Sequence, residues 1–168
     1  MQNLPRILIT YSTRKGDSKR IAEAVAGGVK RTGVETVITE ASEELDGSAF
    51  DFVFVGSEVH GGAFGEPARL FLDENKWEGR QLAVFACHYG DKEALGRVVE
   101  ELSRRKARVV NSLNVQAGSP WNVVGAGKKL SEEDLIRAAG FGERTVNNAF
   151  NFRVKKSCEK RRISGYVK

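Results

Sequence analysis

The 168-residue chain has the length and composition of a soluble globular protein that forms one domain with its own core. It contains no apolar run near the roughly 20 residues that a membrane-spanning helix needs, and its N-terminus shows no secretory signal pattern. Residues 1–150 carry 20 Lys and Arg against 21 Asp and Glu, whereas residues 151–168 carry seven against one. We therefore expect a nearly neutral domain over 1–150 followed by a basic C-terminal tail over 151–168.

Apolar segments and amphipathic helical patterns alternate along the domain. The predicted elements are strands at 6–11, 34–39, 52–56, 81–87 and 108–116 and helices at 17–32, 67–76, 91–106 and 131–150. Residues 41–50 are predicted as a short helix or a loop. This alternation predicts an α/β fold with a doubly wound, five-stranded parallel sheet and helices on both faces.

The first predicted strand leads through a hydroxyl-bearing loop directly into a helix. The loop reads Thr13-Arg14-Lys15-Gly16-Asp17-Ser18. The start of a helix leaves N–H groups unpaired and carries a partial positive charge, so the loop suits an anion, above all a phosphate ester. The glycine patterns of nucleoside triphosphate and dinucleotide loops are absent. The alternative is a connection capped by Asp17 or Ser18 that holds no ligand.

Two further loops are predicted after the third and fourth strands. They read Gly56-Ser57-Glu58-Val59-His60-Gly61-Gly62-Ala63-Phe64-Gly65-Glu66-Pro67 and Ala86-Cys87-His88-Tyr89-Gly90-Asp91. The first lies in a glycine-rich segment, which suits a backbone placed against a flat ligand. Tyr89 is the candidate for one face of such a ring, with His60, Val59 or Phe64 on the other. Alternatively, Tyr89 packs against its neighbouring helix.

Both histidines of the chain, His60 and His88, lie in these two loops. They are candidate proton relays, and the alternative is ring packing or hydrogen bonding to a ligand. The spacing of Cys, His, Asp and Glu predicts no metal site, and a nucleophile elbow is absent. Cys87 and Cys158 fit free thiols in a reducing cytoplasm.

The long segment 118–129 and the basic tail leave several interpretations open. The segment is apolar and carries Trp121, so it fits a contact with substrate, ligand or partner, or a cover over the sheet edge. The tail fits a disordered end, a contact with an acidic redox partner, or a weak contact with an anionic membrane surface. It lacks a recognisable nucleic-acid-binding module, so we expect no nucleic-acid partner.

These loops resemble those of the flavodoxin-like superfamily over residues 5–150. Flavodoxins hold the phosphate of FMN with the pattern [Ser/Thr]-x-Thr-Gly-x-[Thr/Ser]. This chain matches the pattern at Thr13, Gly16 and Ser18 and differs from it at Lys15. The sequence Ser12-Thr13-Arg14 before the loop glycine resembles the corresponding segment of the flavodoxin domain branch, which includes menaquinone-dependent protoporphyrinogen oxidase. The resemblance implies strand order 2-1-3-4-5, with one site formed by the loops after residues 11, 56, 87 and 117.

The resemblance implies FMN as cofactor and a redox function. The protein would carry electrons between partners or act as an FMN-dependent oxidoreductase on a quinone or porphyrinogen-like small molecule; a third alternative is a cofactor-free interaction module. Arg14 and Lys15 would offset the phosphate charge, and Glu58 or Asp91 would lower the potential of the flavin. The expected cofactor contacts are Ser12, Thr13, Arg14, Lys15, Gly16, Asp17, Ser18, Ser57, Glu58, Val59, His60, Gly61, His88, Tyr89, Gly90 and Asp91.

Overall fold

The computed structural model describes residues 3–117 and 130–151. In chain order the elements are β1 (Arg6–Ser12), α1 (Asp17–Lys30), β2 (Glu35–Glu40), β3 (Phe52–His60), β4 (Ala63–Phe64), α2 (Glu66–Glu74), β5 (Gln81–His88), α3 (Ala94–Arg104), β6 (Arg108–Gln116) and α4 (Glu132–Ala149). A 3-10 turn at Gly47–Ala49 lies in the segment predicted as helix or loop. The boundary expected at residue 150 stays a prediction, because the tail beyond residue 151 lies outside the described residues.

The five long strands form a parallel sheet in the order β2-β1-β3-β5-β6, which confirms the predicted topology. The strand order reverses between β1 and β3, so their carboxyl ends flank the position where such sheets bind ligands. The short strand β4 pairs antiparallel with the end of β3 and was not predicted. Two residues give no periodicity that a sequence pattern can detect.

Helices cover both faces of the sheet, as expected. One core lies between the sheet and α1 with α4, and includes Ile21, Phe54 and Phe141. The other lies against α2 and α3, and includes Phe71 and Leu102. The central strand β3 contributes buried side chains to both cores, which explains its continuous apolar sequence.

The strand β3 is longer than predicted, and this corrects the position of the second loop. Residues 57–60, expected in a loop, continue the strand: Ser57 lies opposite Ser12 of β1, and Glu58 lies opposite Cys87 of β5. The sequence prediction ended the strand at Gly56, and glycine often marks a turn. Here a Cβ at Gly56 would lie 1.8 Å from the ring of Phe85, so this glycine serves close packing within the sheet.

The helices α1 and α4 pack closely because glycines lie at their crossing. A Cβ added at Gly28 would lie 1.8 Å from the carbonyl oxygen of Ala139, and one at Gly142 would lie 2.4 Å from that of Val25. Both obstacles are backbone atoms, which cannot turn aside as a flexible side chain can. A Cβ at the neighbouring Gly27, also in α1, would meet no atom within 4 Å beyond its own helix in the described part of the chain.

We expect Gly28→Ala to lower the free energy of unfolding by about 2–3 kcal/mol, because the methyl group forces α1 away from α4. Gly27→Ala is the matched control. It should raise stability by about 0.5–1 kcal/mol, since alanine loses less conformational entropy in a helix. Urea unfolding of both variants checks the pair, and equal effects would contradict the proposed close packing.

Candidate functional site

The loop between β1 and α1 forms a cradle of hydrogen-bond donors, which we call the anion cradle and define as residues 13–18. Gly16 precedes the helix with φ of 89°, a left-handed conformation that favours glycine. Its N–H donates to the Thr13 hydroxyl over 2.9 Å, which closes the turn. Neither Asp17 nor Ser18 is the N-cap residue, and the Gly16 N-cap makes no side-chain capping bond. The simple capped connection considered from sequence is therefore not what the structure shows.

The carboxylate of Glu58 lies in the anion cradle. It enters from β3, and its side chain is only 1% exposed. The Thr13 hydroxyl donates to Oε1 over 2.8 Å, and the Arg14 N–H donates to Oε2 over 2.7 Å. The further donors, at 3.2 to 3.5 Å, are the N–H groups of Lys15, Asp17 and Ser18. Glu58 thus supplies an anion at the start of α1 from a strand more than 40 residues away in the chain.

The fit between carboxylate and cradle leaves donor capacity unused. Four donors converge on Oε1 alone, and the Lys15 N–H is divided between both oxygens at 3.2 and 3.3 Å. The hydroxyl of Ser18 is buried and has no hydrogen-bond partner within the described part of the chain. A carboxylate offers two acceptor oxygens, whereas a phosphate ester offers three. The donor set therefore fits a phosphate better than the carboxylate that fills it.

The cradle also determines the ionisation of Glu58. Burial alone would raise the pKa of this carboxyl, but hydrogen bonds from the Arg14 N–H, the Thr13 hydroxyl, His60 and the Lys15 N–H outweigh it. The pKa is consequently lowered from its ordinary value of 4.5. Glu58 is therefore a buried anion at neutral pH, and the hydrogen-bond donors around it stabilise its charge.

Tyr89 joins the other two loops to the cradle. Its ring stacks on His60, with centroids 5.8 Å apart and planes inclined by 25°. Its hydroxyl donates to Asp17 over 2.7 Å, and the Lys15 Nζ lies over its ring, 4.4 Å from the centroid. His60 in turn approaches the Glu58 carboxylate, with 3.3 Å between Nε2 and Oε2. The structure thus brings together residues from all three loops that sequence reasoning selected within the described chain.

The remaining residues of the third loop bond to one another and to α3. The His88 Nδ1 accepts from the Gly90 N–H over 3.3 Å, and burial lowers the pKa of His88, so its ring is neutral at pH 7. Asp91 pairs with Arg97 over 2.6 Å, and a hydrogen bond from that guanidinium lowers the pKa of Asp91. Arg97 also donates to the Gly62 carbonyl over 3.1 Å. This arginine therefore connects the third loop to the turn between β3 and β4.

A cavity of about 190 Å³ adjoins the anion cradle. Part of its lining is Gly65, Glu66 and Pro67 at the start of α2, which end the predicted second loop but were not among the expected cofactor contacts. A Cβ at Gly65 would lie 2.5 Å from the Ser12 hydroxyl, so a side chain at this position would force that hydroxyl to move. Two sequence signals marked these three residues: their place in the glycine-rich second loop, and the proline in the first turn of the helix that follows.

Some of the predicted site residues lie elsewhere than the sequence suggested. Glu58 was expected beside a flavin ring, but its carboxylate lies in the predicted phosphate loop; Lys15 covers Tyr89 with its side chain and offers the cradle its N–H. Ser12 and Ser57 lie buried at the paired ends of β1 and β3, Val59 is buried, and Gly61 is exposed in the turn after β3. The predicted contribution of the loop after residue 117 lies outside the described residues, as does Trp121.

Cys87 fits the expected free thiol: it is buried, and burial raises the pKa of its thiol to about 12. Cys158 lies outside the described residues. Across 3–117 and 130–151, His, Cys, Asp and Glu side chains form no cluster that could hold a metal ion. In the same part of the chain, each helix is too short or too polar to span a membrane.

The sheet order and the anion cradle at its switch point define a flavodoxin-like α/β protein. The chain belongs to the flavodoxin domain family, whose model matches residues 8–122. A comparison with curated proteins gave no significant match.

Solved structures with the same fold include flavodoxins and larger proteins. Oxidised flavodoxin 2 from Bacillus cereus is 24% identical, with a TM-score of 0.64 over 82% of this chain and 94% of that one. A flavodoxin, WrbA-like protein from Agrobacterium tumefaciens is 20% identical, with a TM-score of 0.61 over 88% and 99% of the two chains. The flavodiiron protein from Giardia intestinalis is 19% identical, with a TM-score of 0.68 over 89% of this chain but 37% of that one. These similarities concern the fold.

We expect Glu58→Gln to lower the free energy of unfolding by about 1–3 kcal/mol at pH 7, because it removes a charged acceptor from several buried donors. The folded-state pKa of Glu58 lies below its ordinary 4.5. Its contribution is therefore complete above that value and is lost as the pH falls through the lower, folded-state pKa.

Urea unfolding at neutral and acidic pH measures this effect. The difference between the native protein and the Gln variant should shrink in acid. The exposed Glu23, which lies in α1 outside the cradle, provides a charge-matched control as Glu23→Gln. An equal loss in both variants would show that net charge, rather than the cradle, is responsible.

Proposed function

We propose that the protein binds FMN at the switch point and functions in electron transfer. The observation that carries this proposal is the surplus of donors in the anion cradle, which includes a buried Ser18 hydroxyl without a partner in the described chain. Membership of the flavodoxin domain family supports it. When bound, FMN would supply one- and two-electron redox chemistry, and the protein would supply binding, orientation and the electrostatic environment.

The chain's own residues fit the phosphate of such a cofactor. The Thr13 hydroxyl and the N–H groups that now contact Glu58 would hold phosphate oxygens, and the Ser18 hydroxyl would add one further donor. Positive partial charge at the start of α1 would stabilise the anion. The side chains of Arg14 and Lys15 are exposed at the rim and would reduce the net charge of the occupied site.

The flat ring of the cofactor fits the position of Tyr89 and His60. These two rings already stack on each other, so each has a flat face that a cofactor ring could contact. A ring inserted between two aromatic planes needs about 3.5 Å on each side, so His60 and Tyr89 would separate to accept it. Alternatively, the ring would lie on one of them alone. The N–H groups of residues 89–91 are the proposed donors to the ring edge.

An electron carrier and an oxidoreductase both fit this arrangement. As a carrier, the protein would serve a redox partner protein; as an enzyme, it would act on a quinone or protoporphyrinogen-like small molecule. We propose the carrier first, since in both cases the flavin supplies the chemistry and the carrier needs no further substrate site. Reductive titration of the FMN-loaded protein separates them: uptake of single electrons supports the carrier, and direct two-electron reduction by a nicotinamide or quinol supports the enzyme.

The occupied cradle favours a second candidate function. Because the Glu58 carboxylate satisfies several donors without any ligand, the chain also fits a cofactor-free interaction module. The absorption spectrum of the purified protein separates the two candidates. A yellow protein excludes the module, and a colourless protein that stays free of FMN in excess FMN excludes the redox function.

The cellular setting follows from the same proposal. A cytoplasmic location fits a carrier that exchanges electrons with diffusing partners. The basic residues of 151–168 would favour an acidic partner or an anionic membrane surface, at about 1 kcal/mol for each basic residue near the surface. Removal of 153–168 should then reduce the salt dependence of partner reduction and leave FMN binding unchanged.

We expect Ser18→Ala to weaken FMN binding about tenfold or more, since a hydrogen bond to a charged group contributes about 1.5–3 kcal/mol. The stability of the ligand-free protein should barely change, because this hydroxyl has no partner in the described chain. Fluorescence titration measures the affinity, and riboflavin, which lacks the phosphate, is the control ligand. Unchanged FMN affinity would remove Ser18 from the site.

A further inference from the structure

The position of Glu58 excludes any second anion from the cradle. Its carboxylate oxygens lie 2.7 and 2.8 Å from the Arg14 N–H and the Thr13 hydroxyl, where a phosphate oxygen would have to lie. Two anions in one buried site would also repel each other strongly. A phosphate ester therefore enters only if the Glu58 side chain leaves.

The surroundings provide a route for that movement. The main chain of Glu58 is fixed in β3 by pairing with β5, so only its side chain is free to rotate. The cavity of about 190 Å³ is lined by Glu58 itself, together with His60 and Arg14. His60 lines the same cavity and already contacts Oε2 of Glu58.

The same contacts hold the site closed around the ring position. His60 touches both Glu58 and Tyr89, and Tyr89 donates to Asp17 within the cradle. Departure of the carboxylate removes one contact of His60, and entry of a ring displaces another.

We propose that Glu58 is an internal anion that competes with the phosphate ester for the cradle and so determines which ligands the site accepts. This inference rests on the proposed function for the identity of the cofactor, but not for the competition itself. A ligand must displace a well-bonded carboxylate, which a group with three acceptor oxygens does better than one with two. A flavin without phosphate gains nothing from the cradle, whether or not Glu58 occupies it.

The competition predicts a specific result for variants of Glu58. Glu58→Ala empties the cradle, and Glu58→Gln keeps the shape but replaces one acceptor with a donor that faces other donors. Both should bind FMN about tenfold more tightly than the native protein, or better, although both unfold more easily without ligand. The tenfold gain for FMN corresponds to about 1.4 kcal/mol. Affinity for riboflavin should stay within about twofold, because riboflavin has no phosphate to use the vacated cradle.

The experiment uses two probes on the full chain. Fluorescence titration gives the affinities for FMN and riboflavin, and amide chemical shifts of residues 14–18 report binding of inorganic phosphate alone. Glu23→Gln, on the exposed face of α1, controls for the loss of one negative charge near the cradle. Tighter FMN and phosphate binding in both Glu58 variants, with riboflavin and the control unchanged, supports the competition.

The other outcomes separate this inference from the proposed function. If the native protein binds FMN and both Glu58 variants bind it equally or less tightly, the competition is overturned and the function stands. If only the variants bind FMN or inorganic phosphate, the competition stands and the redox function of the native chain is overturned. If no protein binds either probe, both are overturned.

Discussion

A buried carboxylate that receives hydrogen bonds from the first turn of α1 is the interaction on which the rest of the site depends. It satisfies N–H groups that the helix itself leaves unpaired, and it does so from the central strand β3. Glu58 therefore acts as a tertiary cap that joins β3 to α1 across the switch point. The cost of burying its charge is met by the donors around it, which is why its pKa falls although burial alone would raise it.

This arrangement gives one set of donors two possible occupants. The cradle has the composition expected for a phosphate ester, yet the protein's own side chain already makes use of most of it. Stability without ligand and affinity for ligand are therefore opposed: contacts that hold Glu58 are lost when a phosphate enters. The unpartnered Ser18 hydroxyl marks the difference between the occupants, since it is a donor that the phosphate would use and the carboxylate does not.

The sequence predicts the sheet and the location of the site well, because both follow from strong local patterns. Continuous apolar strands and amphipathic helices fix the topology, and Thr13, Gly16 and Ser18 mark the anion loop. The sequence fails where tertiary contacts decide the outcome. Gly56 resembles the end of a strand but makes room for Phe85. The position of Glu58 depends on a strand register and a side-chain rotation, and neither leaves a periodic signal.

The bridge made by Arg97 has a mechanical consequence. Because one guanidinium binds both Asp91 and the Gly62 carbonyl, the two segments beside the ring position are tied to the same helix, α3. They cannot be pushed apart independently without breaking a bond of 2.6 or 3.1 Å. A movement that opens the ring position would therefore shift the segments of Gly62 and Asp91 together, because Arg97 of α3 bonds to both.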